Sequence, residues 1–257
     1  MRLPLLQTAY LYLRTMIPVL AIWHLVARSV GNPVLLPGPL EVGQAVVALF
    51  GSHELLGNAL TSLRRILLGY GLALGVGMVL GILMGLSDTI HDLIDPVIEL
   101  LRPISGIAWI PLALLIFGVG DQLTVFIIFY GSLFAVIVNT LAGVRGCDPQ
   151  LIQAARTFGA SRWVVLTQVV LPAALPTVLV GARVGMGLAW MSLVAAELVG
   201  APTGLGFAVE WYRELLMTPK VVAVIVVIGV LGYLTDRVLR DIRRRLTPWS
   251  AGQAAGV

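Results

Sequence analysis

Three stretches of this 257-residue chain contain no Asp, Glu, Lys or Arg: 66–87, 103–120 and 122–144. About 20 apolar residues of α-helix cross the hydrocarbon core of a bilayer, and each stretch is close to that length. Only 12% of the chain is charged, about half the share of a typical soluble domain. This composition excludes a disordered chain and argues against a water-soluble enzyme. We predict an all-α, polytopic membrane protein.

Six transmembrane helices are predicted from these windows and three further apolar regions. Residues 163–182 are also free of charge, but Pro172 and Pro176 interrupt them, so we expect the membrane helix there to begin near Leu175. The six predicted spans are 10–30, 60–86, 97–118, 122–144, 175–199 and 221–240. Residues 145–174 then form a long connecting loop.

The basic residues predict the orientation. With both termini in the cytoplasm, twelve arginines fall on the inner side or at nearby helix ends, Arg102 and Arg183 among them, and five basic residues fall outside. The basic residues are scattered, so no nucleic-acid partner is expected. One cysteine and three separated histidines give no metal-ligand spacing, so we predict no metal site.

The second span carries glycines four residues apart, at Gly77, Gly81 and Gly85. Such spacing clears a groove on one helix face, in which a second helix can pack closely. Packing within the subunit is the favoured interpretation, and contact with another subunit is the alternative.

The 145–174 loop predicts two short surface helices. Asp148 can cap a helix that begins at Pro149 and stops at Gly159, and Ser161 can cap a second helix that Pro172 ends. Two interpretations remain open for this pair of helices. They dock another protein against their small side chains, or they lie on lipid headgroups.

Within this loop, Gln153-Ala154-Ala155, three residues, Gly159, nine residues and then 169–172 (Val-Val-Leu-Pro) resemble a family signature. The signature, "EAA, three, G, nine, I, one, LP", is that of permease subunits of ATP-binding-cassette (ABC) importers. Four other stretches, 102–112, 175–185, 193–198 and 243–249, resemble the taurine, alkanesulfonate and nitrate permeases.

The resemblance implies a type I ABC importer fold in which residues 1–257 form one transmembrane permease domain. It further implies that a cytoplasmic coupling helix docks on an ATPase subunit through Gln153, Ala154, Ala155, Arg156, Gly159 and Pro172. Gln153 departs from the signature, because it keeps the helix propensity of glutamate but lacks its charge.

The same resemblance implies the partners: a second copy of the chain, two cytoplasmic ATPase subunits, an extracytoplasmic solute-binding protein and the inner membrane. The expected solute is a small anion such as a sulfonate, nitrate or bicarbonate, and a heterocyclic vitamin precursor is the alternative. The chain has no phosphate-binding Gly-x-x-x-x-Gly-Lys-Ser/Thr motif, and its one lysine is Lys220. We therefore expect no cofactor and no ATPase activity in this chain.

Three residues of the fifth span are candidates for the translocation path. Arg183, Trp190 and Glu197 are seven residues apart, so two helical turns return each to nearly the same face. Arg183 could attract an anion, and Trp190 could close an apolar constriction. Alternatively, Arg183 reaches the cytoplasmic surface and Glu197 pairs with an outer basic residue. An ion-coupled secondary transporter also remains open, although it would need more ionisable groups within the spans.

Overall fold

The computed structural model describes residues 5–52 and 54–249, and the side chains from residue 14 onward. This part of the chain is almost entirely helical. Its α-helices are α1 (Leu5–Val30), α2 (Pro39–Gly51), α3 (Glu54–Leu86), α4 (Asp88–Leu101), α5 (Ile110–Phe117), α6 (Asp121–Arg145), α7 (Pro149–Thr157), α8 (Arg162–Val165), α9 (Leu171–Gly200), α10 (Leu205–Glu214) and α11 (Thr218–Leu246). A 3-10 helix, Gly106–Trp109, precedes α5, and a π-helix, Leu166–Val170, joins α8 to α9.

Four helices of the described chain are long and apolar enough to cross a membrane: α3, α6, the continuous Arg162–Gly200 segment and α11. The α4–α5 pair makes a fifth if it is counted as one broken span. The polytopic, all-helical prediction is therefore confirmed. Helix α1 coincides with the predicted span 10–30, and its crossing of the membrane stays a prediction.

The predicted span 97–118 contains a bend that the sequence did not predict, because α4 and the following helical segment meet at an angle of 82°. Arg102 keeps helical backbone angles, but Pro103 has no N–H with which to continue the hydrogen bonds of α4. A new helical turn begins where the backbone N–H of Ile107 donates to the Ser105 side chain at 3.3 Å. The break therefore has a local cause in the sequence.

The expected helix end at Pro172 is also wrong. The π-helix at 166–170 continues directly into α9, and the Leu171 N–H donates to the Leu166 carbonyl, five residues earlier. This wider turn opens the backbone where the Pro172 ring would otherwise meet the carbonyl of the preceding helical turn. Residues 162–200 thus form one segment, which begins well before the predicted start at Leu175.

Helix α6 lies at the centre of the bundle, with α3 on one side and α9 on another. A Cβ atom added at Gly77, Gly81 or Gly85 of α3 would lie 2.8, 2.6 or 2.5 Å from side-chain atoms of α6. The residues that they meet, Val136, Thr140 and Val144, each lie 59 positions later in the chain. A constant offset means that the two helices run parallel, and the glycines approach α6 within the subunit.

The two ends of the bundle differ. Helices α7 and α8 protrude at one end, which we call the α7 end. At the opposite end, α2 and α10 pack on the first turns of α11 through an apolar cluster that includes Val42, Leu205 and Val224. Gly120 and Gly200 meet at that opposite end, where the Gly120 N–H donates to the Gly200 carbonyl at 2.9 Å.

Candidate functional sites

Helix α7 is fixed at both ends by local chemistry, as the sequence predicts. The Asp148 carboxylate accepts from the Gln150 N–H at 2.8 Å, and Pro149 occupies the first turn. The chain then reverses at Gly159, whose φ of +77° is a conformation that residues with a Cβ rarely adopt. Ser161 caps α8 by accepting from the Val164 N–H at 3.4 Å.

One side of α7 packs inward, and this side includes Ala155. Ile152 and Ala155 contact the apolar cluster formed by Val144, Cys147 and Val165. Ala155 is therefore half-buried within the loop, whereas Gln153, Ala154 and Arg156 are exposed. Of the residues expected to face a partner, Ala155 instead contributes to the packing that holds α7 in place.

A second face of α7, about 100° around the helix from Ile152 and Ala155, carries an apolar stripe that has no partner in the described chain. Leu151, Ala154 and Phe158 are three and four residues apart, so they share one helix face. All three are exposed, and Phe158 is 91% exposed. We call these three residues the α7 stripe. The sequence prediction missed Leu151 and Phe158, although their helical spacing was a signal.

Pro172 and Gly159 shape the loop in different ways. Pro172 lies in the first turn of α9, is half-buried and follows the π-helix, so it belongs to the spanning segment. Gly159 is exposed at the tip, and an added Cβ would meet nothing within 4 Å. Its positive φ, rather than lack of space, is what restricts substitution there, because a residue with a Cβ would be strained in this conformation.

Arg183 is neutralised within the subunit. Its guanidinium binds both carboxylate oxygens of Asp236 on α11, with Nη2 at 3.1 Å from Oδ2. Arg240, one turn further along α11, also donates to Asp236 at 2.6 Å. The Arg183 side chain is 42% exposed, so it still borders the surface of α9. Its positive charge is therefore balanced by a neighbouring helix.

Trp190 is a core residue of the subunit in this structure. It is 7% exposed and packs with Ile66, Tyr70 and Leu193. Its indole Nε1 donates to Thr235 on α11 at 2.9 Å. These contacts favour packing over an apolar constriction for this side chain.

Glu197 is fully buried and pairs with an arginine, which agrees with the alternative interpretation that it pairs with an outer basic residue. Arg65 Nη1 lies 2.8 Å from Glu197 Oε1, and the two side chains are 2% and 0% exposed. Ser62 and the Gly206 N–H also donate to the Glu197 carboxylate at 2.9 Å. Arg65 further contacts Asp121 and Thr203. We call Ser62, Arg65, Asp121, Glu197 and Thr203 the Glu197 cluster.

The Glu197 cluster joins four parts of the fold at the end opposite α7. Its members come from α3, α6, α9 and the loop before α10. Hydrogen bonds satisfy the charged groups from several directions, which a buried ion pair requires. The arrangement stabilises the subunit, and Glu197 does not face an open path in this conformation.

A cavity of about 390 Å³ lies on the other side of α6, against the bend between α4 and α5. Arg102, which follows α4 directly, lines it. The opposite wall comes from α9, including Leu188 and Met191. The sequence prediction placed Arg102 on the inner side or at a nearby helix end, and the structure places it at the end of α4, beside the bend.

These features define a helical membrane transport protein: apolar spanning helices around a cavity, with a rigid helix–turn–helix at one end. The chain belongs to the family of binding-protein-dependent transport system inner membrane components, whose model matches residues 77–248. It is a permease component of the ABC importer class, so the predicted family and function are confirmed at this level.

Relatives with assigned transport systems are similar over nearly the whole chain. The taurine transport system permease protein TauC of Escherichia coli is 39% identical, covering 96% of this chain and 92% of TauC. The nitrate import permease protein NrtB of Synechocystis is 30% identical, covering 90% and 86%. A structure of the MetNI methionine ABC transporter, in an inward-facing conformation, matches with a TM-score of 0.66 at 21% identity. That match covers 76% of this chain and 96% of the other, which confirms the predicted fold type.

Proposed function

We propose that this chain, paired with a second copy, forms the path of an ATP-driven importer for a small oxyanion of the sulfonate, nitrate or bicarbonate class. Two cytoplasmic ATPase subunits bind the pair at the α7 end, and an extracytoplasmic binding protein delivers the solute at the opposite end. Both termini then lie in the cytoplasm. Similarity to the taurine and nitrate permeases supports this substrate class.

The observation that carries the proposal is the α7 stripe. An isolated exposed phenylalanine is ordinary, but Leu151, Ala154 and Phe158 form a continuous apolar face on a helix that is capped and packed from behind. A rigid apolar face costs little conformational entropy when a partner binds it. We therefore assign the ATPase-binding surface to this stripe together with the exposed Gln153 and Arg156, while Ala155, Gly159 and Pro172 hold its geometry.

Replacement of Phe158 by alanine tests the ATPase contact. A buried aromatic anchor typically contributes about 2 kcal/mol or more to binding, so Phe158→Ala should weaken ATPase binding roughly 30-fold. The measurement is the Kd of the detergent-solubilised permease for its ATPase subunit, followed by ATP-driven uptake in proteoliposomes.

Phe50→Ala is the matched control, because Phe50 is also exposed but lies on α2 at the opposite end of the bundle. It should leave ATPase binding within about twofold of the unaltered chain. Equal weakening by the two substitutions would remove the α7 stripe from the interface. Uptake driven by a proton or sodium gradient without nucleotide would contradict the importer proposal as a whole. Uptake of a vitamin precursor, but of no oxyanion, would refute the substrate class alone.

A further inference from the structure

The bend between α4 and α5 places Arg102 near the mid-height of the bundle. Helix α4 begins beside the last residue of α6, where Arg145 pairs with Asp88 at 3.0 Å. It ends where the Tyr130 hydroxyl donates to the Leu101 carbonyl at 2.8 Å. Tyr130 is the tenth residue of the 25-residue α6. Arg102 is therefore close to the middle of a spanning helix, where a charge must face protein or water.

The charge of Arg102 is not balanced by a neighbouring side chain. No carboxylate among the described residues lies within 4.0 Å of its guanidinium, and Glu99, one turn earlier on α4, does not reach it. Arg65 and Arg183, by contrast, each contact a carboxylate within the subunit. The fold thus supplies a partner to two arginines within the bundle and none to Arg102.

Reaching the lipid headgroups does not explain this side chain. The 14 residues of α4 separate Arg102 from the α7 end by about 20 Å, at 1.5 Å per residue. An extended arginine side chain covers roughly a third of that distance. The guanidinium borders two cavities. Asp95 and Glu99 line one of them, but neither carboxylate comes within 4.0 Å of Arg102. On the side of the 390 Å³ cavity, which no carboxylate lines, its charge is solvated by water or by an occupant.

The walls of this cavity suit a small solute with one negative group. Ser105, Asn139 and Ser192 supply polar groups to the lining, and Leu188 and Met191 supply an apolar wall. No Asp or Glu lines the cavity. Its volume of about 390 Å³ lies within the range of small-molecule sites. We call it the Arg102 cavity.

We propose that the Arg102 cavity binds the oxyanion group of the solute during its passage through the permease. The planar guanidinium donates two hydrogen bonds to a sulfonate, nitrate or carboxylate group, for which its geometry is suited. The Ser105 and Ser192 hydroxyls donate to the remaining oxygens, and Asn139 lines the cavity further along α6. Leu188 and Met191 contact the apolar part of the solute. This assignment rests on the proposed import of an oxyanion.

The proposal that the Arg102 charge attracts an anion into the cavity can be tested on the full chain without an ATPase, a binding protein or a transported solute. A cysteine introduced by Ser105→Cys is treated with two thiol reagents of similar size, sulfonatoethyl and trimethylammonioethyl methanethiosulfonate. Arg102 should favour the anionic reagent, and adding Arg102→Gln should lower the anionic-to-cationic rate ratio by about tenfold.

The background reaction in this test is low, and the control is internal. Cys147, the chain's one native cysteine, is buried. Burial, and secondly the Asp148 carboxylate, raise the pKa of the Cys147 thiol, so little reactive thiolate forms. A cysteine made by Thr157→Cys on exposed α7 should show a ratio that does not respond to Arg102→Gln. A ratio at Ser105→Cys that is equally unresponsive overturns the proposal.

Uptake by the reconstituted complex with its ATPase and binding protein tests the role in transport. Radiolabelled taurine and nitrate are the probes. Arg102→Gln should lower uptake about tenfold to a hundredfold, as expected for loss of a charge-assisted hydrogen bond. Arg102→Lys keeps the charge and should retain an intermediate rate. Arg237→Gln, which removes an exposed arginine of α11 outside the cavity lining, should leave uptake unchanged.

The outcomes separate this inference from the proposed function. If the unaltered complex imports taurine or nitrate and Arg102→Gln imports it equally fast, the Arg102 site is refuted and the importer remains. If the unaltered complex imports only uncharged solutes, the oxyanion class fails, and the site assignment fails with it.

Discussion

The Glu197 cluster and the Arg102 cavity both contain an arginine within the apolar bundle, but the fold surrounds the two arginines differently. Arg65 is 2% exposed and contacts two carboxylates and the Thr203 carbonyl. Arg102 is exposed to a cavity with no acidic side chain in its walls. The comparison shows that a charge among spanning helices points to a functional site when no neighbouring side chain of opposite charge balances it.

The largest effect on stability is expected from removing the carboxylate of the buried pair. Glu197→Ala leaves the buried Arg65 with the half-exposed Asp121 as its remaining carboxylate, which should lower the free energy of unfolding by about 3 kcal/mol. Thermal unfolding of the detergent-solubilised chain, together with the yield of folded protein, measures the effect.

Two variants control this prediction. Glu210→Ala removes an exposed carboxylate that pairs with Arg213 on α10, and it should change the unfolding midpoint little. Arg65→Met combined with Glu197→Leu removes both charges and should recover part of the loss. If Glu197→Ala were as mild as Glu210→Ala, the buried pair would not be a source of stability.

The second prediction concerns two faces of α3, one packed against α6 and one open. A Cβ at Gly81 would lie 2.6 Å from the Thr140 Cβ, so Gly81→Ala must push α3 away from α6, at about 1–3 kcal/mol. Gly75→Ala is the matched control, because an added Cβ there meets nothing within 4 Å. It should be neutral or stabilising, since alanine favours helix over glycine. Equal unfolding midpoints for the two variants would contradict close packing at Gly81.

The smallest expected effect is that of Arg183→Gln. The Arg183 side chain is 42% exposed and Asp236 keeps its contact with Arg240, so the loss of stability should be at most about 1 kcal/mol. Uptake of taurine or nitrate should fall by less than about threefold, well below the effect of Arg102→Gln. A larger loss of uptake at Arg183 than at Arg102 would reverse the assignment of the two arginines.

The features that sequence predicted well depend on nearby residues. Charge-free windows give the spanning helices because solvation by lipid is a property of the segment itself. Asp148, Pro149 and Gly159 give the bounds of α7 because helix capping involves residues only a few positions apart. The close approach of Gly81 to another helix was also predictable, but its partner on α6 was not, because it lies 59 positions away.

The features that sequence missed depend on distant contacts or on local deviations from regular helix. Glu197 and Arg65 are 132 residues apart in the chain, so helical periodicity within α9 could not pair them. Pro172 was read as a helix end because a π turn that accommodates proline has no simple sequence signal. The bend beside Arg102 was not predicted, because residues 97–118 were treated as a single span. The sequence Pro103, Ser105, Gly106 was the available sign of a break.

The π-helix at 166–170 also connects the α7 stripe to a spanning helix, because it makes α8 and α9 one continuous helical segment. From Arg162 onward the chain is helical without interruption as far as Gly200, and four residues, 158–161, connect α7 to it. Such a short connection allows α7 little movement relative to the 162–200 segment. A force applied at Phe158 is therefore transmitted along a stiff rod to Leu188 and Met191, two residues of the Arg102 cavity wall. One continuous helical segment thus joins the surface proposed to bind the ATPase to the surface proposed to contact the solute.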